Sequence, residues 1–333
     1  MTSFTSLLPN QKPFAAASDA QTGMLNALAQ RRFFKLIGGG SFTEAPKMAQ
    51  LSRVYIKAGV DCIDIAPDAA LIETVWQEVQ KTPAHRPVIM VSIPLDPDPH
   101  FRKIELTEAA CIRCGLCLPV CPTEALTLPN ELEVSQNLCY GCGRCVPACP
   151  TNALQLLPFQ VESRIEQALR HPATEAVEIH SHYVDPYMLD AFLIRWKSLL
   201  RDKLIALCFQ LGDIDDLQVL KFVQTAQRHQ PLPILLQMDG APMSGTNQPE
   251  ASLPALAAAV KVRQIFETNN LQPPPITISG GINQYTATLL QEAPYQFIAG
   301  AGMGTIARQA IWNLKEPQAF ALALQITQAF QGR

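Results

Sequence analysis

Outside one central stretch, apolar and polar positions along this chain switch between two periods. Short runs with period two, or with continuous apolar character, read as strands. They are FFKLIG (33–38), DCIDIA (61–66), PVIMVSI (87–93), EAVEIHS (175–181), LIALCFQL (204–211), PILLQM (233–238), PITISG (275–280) and YQFIAG (295–300). Between most of them lie stretches of period 3.6, such as APKMAQLSRVYIKAG and LPALAAAVKVRQIFETN, which predict amphipathic helices. This α/β alternation predicts a (β/α)8 TIM-like barrel, with an open doubly wound sheet as the alternative. The expected division is a mobile tail over 1–30 leading into a short helix, barrel strands one to three over 31–100, an insert over 101–158, and strands four to eight over 159–333.

The insert interrupts the pattern after the third strand, with FQVESRIEQALRH as a delayed third helix. Eight of the ten cysteines fall in it, as CIRCGLCLPVCPTEAL (111–126) and CYGCGRCVPACPTNAL (139–154). Each copy spells C-x2-C-x2-C-x3-C-P. A tight loop presents three thiolates at this spacing, and the fourth cysteine of each run ligates the other cluster. Cys111, Cys114, Cys117 and Cys149 are thus expected to hold one [4Fe–4S] cluster, and Cys139, Cys142, Cys145 and Cys121 a second. Zinc sites are the alternative for such cysteines, although they usually pair two C-x2-C knuckles over a longer gap. Gly115, Gly141 and Gly143 let backbone approach the sulfides, and TEAL and TNAL are expected to start short helices. The charges of this unit nearly cancel, which suits an internal wire or sensor better than a diffusing carrier steered by charge.

Loops that follow strands line the catalytic face of such a barrel, so the insert is expected at its mouth. ISGGIN (278–283) and AGAGMGTIAR (299–308) are expected to close strands seven and eight. Glycines there free backbone N–H groups ahead of a helix, and Gly280, Gly281, Gly302 and Gly304 form a candidate phosphate cradle; tight turns are the plainer reading. Period two turns Asp64, Glu178, His180, His182, Gln237 and Asp239 toward the lumen, with Lys35 joining them. A lumen that only fills space is built from Val, Ile and Leu, so this polar set points to a buried network or a ligand such as FMN or another phosphate-bearing molecule. As metal ligands His180 and His182 compete with the reading that they are ordinary bonded histidines; Cys62 and Cys208 read as small buried hydrophobes. DGAPMSGTNQ (239–248) is a candidate flap over the site.

Composition narrows the function classes. The net charge of -3 offers no basic field for nucleic acid, and 48% hydrophobic residues support a large core without any apolar run of membrane-spanning length. The first thirty residues lack the charged and apolar regions of an export signal, so the cysteines are expected to stay reduced or bind metal.

The insert resembles a bacterial two-cluster ferredoxin. RRFFKLIGGGSF, AGVDCIDIAPD, DGAPMSG and ISGGIN, in this order around the cysteine motifs, resemble the cyanobacterial light-dependent period family, LdpA. That resemblance implies a cytoplasmic iron–sulfur protein that passes light-driven redox state to the circadian clock, with clock or redox proteins as partners. It carries over only the eight cysteines and names no catalysed reaction. An oxidoreductase fed by the clusters, or an adaptor with structural clusters, are the competing readings.

Overall fold

The computed structural model describes residues 17–159, 162–212, 214–240 and 246–332. Its strands are β1 (Phe33–Gly39), β2 (Cys62–Ile65), β3 (Val88–Pro94), β4 (Arg102–Leu106), β5 (Leu126–Thr127), β6 (Glu133–Val134), β7 (Leu154–Pro158), β8 (Ala176–Ser181), β9 (Leu204–Phe209), β10 (Ile234–Asp239), β11 (Ile276–Ser279) and β12 (Gly300–Met303). Eight of them close in the order β1-β12-β11-β10-β9-β8-β3-β2, and every barrel pairing is parallel. Closure removes the edges that an open sheet would expose. Outward-facing Leu36, Ile63, Val91, Ile179, Leu207 and Ile278 pack under the helices in one apolar core.

The last strand lies later than the periodicity predicts. Residues Ala293–Tyr295 form a 3-10 turn, and the strand is GAGM rather than YQFIAG. The cause is steric: a Cβ on Gly300 would stand 2.1 Å from the carbonyl oxygen of Phe33, so β12 meets β1 only without side chains there. AGAGMG is therefore strand as well as loop.

The segment read as a tail is, from Asp19 on, part of the barrel. Helix α1 (Asp19–Ala29) begins with a capping box, in which Ser18 Oγ accepts from Gln21 N–H (3.2 Å) and Gln21 Oε1 accepts from Ser18 N–H (2.9 Å). Its face of Ala20, Met24, Leu25, Ala27 and Leu28 packs on Phe33, Val88, Met90, Leu204 and Leu235 at the N-terminal ends of the strands. Gln21 Nε2 then donates to the carbonyls of Glu175 and Asp202, both at 2.8 Å, and fixes the helix there.

Between β3 and β8 the chain builds a small unit of two antiparallel pairs, β4 with β7 and β5 with β6. Its own core comprises Ile104, Ala125, Leu126, Leu132 and Leu154 together with Cys117, Cys139 and Cys145. TEAL and TNAL do not start helices. Glu124 and Asn152 take left-handed φ of 56° and 54°, which breaks the helical course and sends each segment into a strand. The unit sits against the C-terminal ends of the barrel strands. Thr43 N–H donates to the Asn137 carbonyl (3.1 Å), and Lys103 Nζ reaches Thr43 Oγ1 (3.1 Å) and the Gln136 carbonyl.

Candidate functional site

The two cysteine loops are structural copies. Arg113 and Gly141 occupy equivalent left-handed positions (φ 58° and 73°), as do Gly115 and Gly143 (both 73°). The Ala125 N–H donates to Cys121 Sγ and the Ala153 N–H to Cys149 Sγ, each at 3.2 Å. All eight thiols are free of disulfides. Cys117 has Cys114, Cys149 and Cys111 as neighbours, and burial followed by these thiols raises its pKa. Cys145 has Cys142, Cys139 and Cys121, and burial followed by them pushes it up to about 12. Burial of Cys149 is slight, and bonds from Thr151, Ala153 and Leu154 outweigh it and lower its pKa. Each set brings four soft donors within electrostatic reach of Cys117 or Cys145, and backbone N–H groups point at sulfur, a donor chemistry that fits an iron–sulfur cluster.

The sets face different surroundings. Around the first, Cys114 is exposed, and Ile112 (64% exposed) and Leu116 (55%) leave an apolar rim open to solvent. The second adjoins the barrel: Tyr140, between Cys139 and Gly141, is buried against Arg308, whose guanidinium lies 5.0 Å from the ring centroid.

Beneath Tyr140 is the barrel mouth, a cavity of about 90 Å³. Asp64, Glu178, His180, Gln237, Asp239, Gly280, Gly281, Gly302 and Gly304 all line it, with Ser92, His100 and Arg308. Lys35 Nζ is ion-paired with Glu178 and lies 3.8 Å from Asp64. Ser92 Oγ donates to Asp64 (2.6 Å), and Gln237 Nε2 donates to Glu178 (2.9 Å) and contacts Cys208 Sγ (3.5 Å). His180 Nε2 lies 2.9 Å from Glu178 Oε1, and its Nδ1 3.8 Å from Asp98. His100 bonds Asp98 (2.7 Å) and reaches toward Asp239 (3.8 Å). Burial works against the charge on Glu178, but Lys35 and then His180 overcome it and hold its pKa at about 2. Asp64 goes the other way, to about 6, because burial outweighs Lys35. His180 is raised despite burial, by Cys208 and Glu178.

Two expectations need correction. His182 is exposed and outside the lumen. β8 ends at Ser181, and Asp96 caps the turn that follows by accepting from Ser181 Oγ (2.9 Å), His182 N–H (2.8 Å) and Tyr183 N–H (3.2 Å). The ring of His182 packs on Tyr183 instead. Gly281 lines the mouth, but its missing Cβ serves packing: a Cβ would stand 2.0 Å from the Ala251 carbonyl oxygen, and φ is +79°. Half of the candidate flap, residues 241–245, lies outside the described residues. Sequence periodicity missed Asp98, His100, Tyr140 and Arg308, three of which sit on connections and one on a helix after β12.

An eight-stranded parallel barrel with a paired four-cysteine unit at its mouth defines a barrel protein with an iron–sulfur-type insert. Residues 109–158 match the LdpA Fe-S cluster-binding domain, and residues 168–325 the Light dependent period A C-terminal domain. Over 318 residues the chain is 32% identical to Light dependent period A of Synechococcus elongatus, covering 89% of this chain and 85% of that protein. The chain belongs to the light dependent period A family. Among solved structures it is similar to the tryptophan synthase alpha chain of Legionella pneumophila (10% identity, TM-score 0.49, covering 95% of this chain and 98% of that one). It is also similar to (S)-3-O-geranylgeranylglyceryl phosphate synthase of Thermoplasma acidophilum (12%, TM-score 0.46, covering 96% and 100%). The barrel assignment rests on strand order and closure. No described helix is long and apolar enough to cross a membrane.

Proposed function

We propose that this chain is a redox sensor and electron-transfer protein that links light-driven redox state to the period of a circadian clock. Two [4Fe–4S] clusters are held by Cys111, Cys114, Cys117 and Cys149 and by Cys139, Cys142, Cys145 and Cys121, in a unit of the two-cluster ferredoxin type. Such clusters supply one-electron chemistry at low potential. The observation that carries the reading is the asymmetry of the two sets: one opens to solvent beside Ile112 and Leu116, the other adjoins Tyr140 and the barrel. An exposed site suits exchange with a redox protein, and a buried one suits passing a change in charge to the scaffold. The link to the clock is supported by the family and by the relative's name, Light dependent period A. The partners are then clock or redox proteins in the cytoplasm.

The test is iron and acid-labile sulfide analysis of anaerobically reconstituted protein, followed by a redox titration read by paramagnetic resonance. About eight iron and eight sulfide, with two reversibly reducible signals, are expected. Zinc without sulfide, or clusters that do not reduce, would overturn the reading.

A second reading is an oxidoreductase with a phosphate-bearing ligand at the mouth. The polar network around Glu178 and the glycines at the ends of β11 and β12 favour it. The cavity of about 90 Å³ is small against the roughly 300–1,000 Å³ usual for ligand pockets. It favours a small oxyanion over a flavin such as FMN.

A further inference from the structure

Arg308 is the charged group that the network above does not use. It lies on the helix Thr305–Trp312, one turn past Gly304, and is only 3% exposed. No carboxylate among the described residues pairs with it. Nη1 donates to the carbonyls of Ile37 and Gly38 (2.9 Å each) and Nη2 to Thr305 Oγ1 (3.3 Å), while Nε has no partner. A buried cation held only by neutral groups carries a desolvation cost that an anion would offset. Gln237 is a second incomplete group on the same cavity: its Nε2 serves Glu178, and its buried Oε1 has no donor. The cavity thus lacks an acceptor at one wall and a donor at another.

The Arg308 wall adjoins the N-terminus of its own helix, where N–H groups favour negative charge. The same guanidinium lies over Tyr140 and within electrostatic reach of Cys142. Building on the ligand reading above, we propose that the mouth binds a small hydroxylated oxyanion, of the phosphate monoester class, between Arg308 and the backbone at Gly304–Thr305, and that this binding opposes reduction of the cluster held by Cys139, Cys142, Cys145 and Cys121. The phosphate takes the Arg308 side and a hydroxyl of the ligand donates to Gln237. Reduction adds one electron, and so one negative charge, on the far side of Arg308. Two anions then share one cation across a low-dielectric wall. By linkage each weakens the other equally. One charge at ~10 Å with an effective dielectric constant near 20 corresponds to roughly a tenfold loss of affinity.

The test is equilibrium dialysis of radiolabelled inorganic phosphate, with glycerol phosphate as competitor, against full-length cluster-loaded protein. The protein is poised electrochemically, with a viologen as the one-electron donor, so that no anionic reductant competes. Saturable phosphate binding, weakened about tenfold on reduction and competed more tightly by glycerol phosphate, is expected. Arg308→Gln should abolish it. Because Arg308 also holds the end of β1, Gly304→Asp is the second variant. It leaves those bonds in place, has room for a Cβ (nearest atom 3.6 Å), and sets a carboxylate beside Arg308 at a helix N-terminus. It should lose phosphate while still folding and loading both clusters. Absence of saturable binding in wild type, or normal binding in a stable Gly304→Asp protein, overturns the site. Equal affinity in both redox states overturns the coupling. If phosphate does not bind while both clusters still reduce reversibly in the same samples, the sensor reading stands and this one falls.

Discussion

Replacing Lys35 by methionine tests whether the lumen network is held by charge. The side chain is buried between Glu178 and Asp64, and methionine matches its length while removing the cation. At the 3.8 Å separation from Asp64, an effective dielectric constant near 20 puts the attraction at about 4 kcal/mol. Measured losses on breaking buried ion pairs are about 3–5 kcal/mol. For a chain of 333 residues that corresponds to a fall in Tm of about 4–7 °C near neutral pH. The pH dependence gives the sharper readout. In the wild type Glu178 has a folded pKa of about 2, below its unfolded value, so its stabilisation is complete above pH ~4.3 and fades as pH falls toward 2. Without Lys35 both carboxyls have raised folded pKa values, so the variant is penalised above those values and relieved as pH falls through them. The gap in Tm, followed by far-ultraviolet circular dichroism, should be widest near pH 8 and shrink toward pH 5. A gap under 1 °C, or one that does not change with pH, would show that the carboxylates are compensated by other groups.

Three further outcomes follow from the geometry. Cys121→Ser should remove the resonance signal of the cluster beside Tyr140, and Cys149→Ser the outer one; loss of the sequence-adjacent cluster in each case would mean local ligation. Gly281→Ala should lower stability by at least about 2 kcal/mol through its φ of +79° and the clash with Ala251; a neutral effect in thermal melts would show that the loop over 249–252 yields. Leu28→Ala should cost about 2–5 kcal/mol, read from denaturant unfolding, if α1 belongs to the barrel core; a loss below 0.5 kcal/mol would show that it does not.

The barrel was legible wherever a strand carries branched apolar residues on its helix-facing side, as in β3, β8 and β9. β12 was not, because contact with Phe33 demands glycine where a strand signature would put valine. The inward positions Asp64, Glu178 and Gln237 followed from period two, and the same rule failed at His182 once the strand had ended under the Asp96 cap. Asp98 and His100 come from the connection after β3, and no periodicity describes where a connection folds back. Arg308 stands one turn after Gly304, a spacing visible in the sequence, but its burial against Tyr140 depends on how the insert docks. The signature SDAQ at the start of α1 was present as well, and only its packing shows that this helix is structural.

That packing has a consequence for traffic. With α1 packed across the lower end, the described residues leave the cavity at Glu178 and Arg308 facing the opposite rim. The cysteine unit overhangs that rim through Thr43, Lys103 and Tyr140. Small shifts in how that unit sits would therefore change how open that rim is.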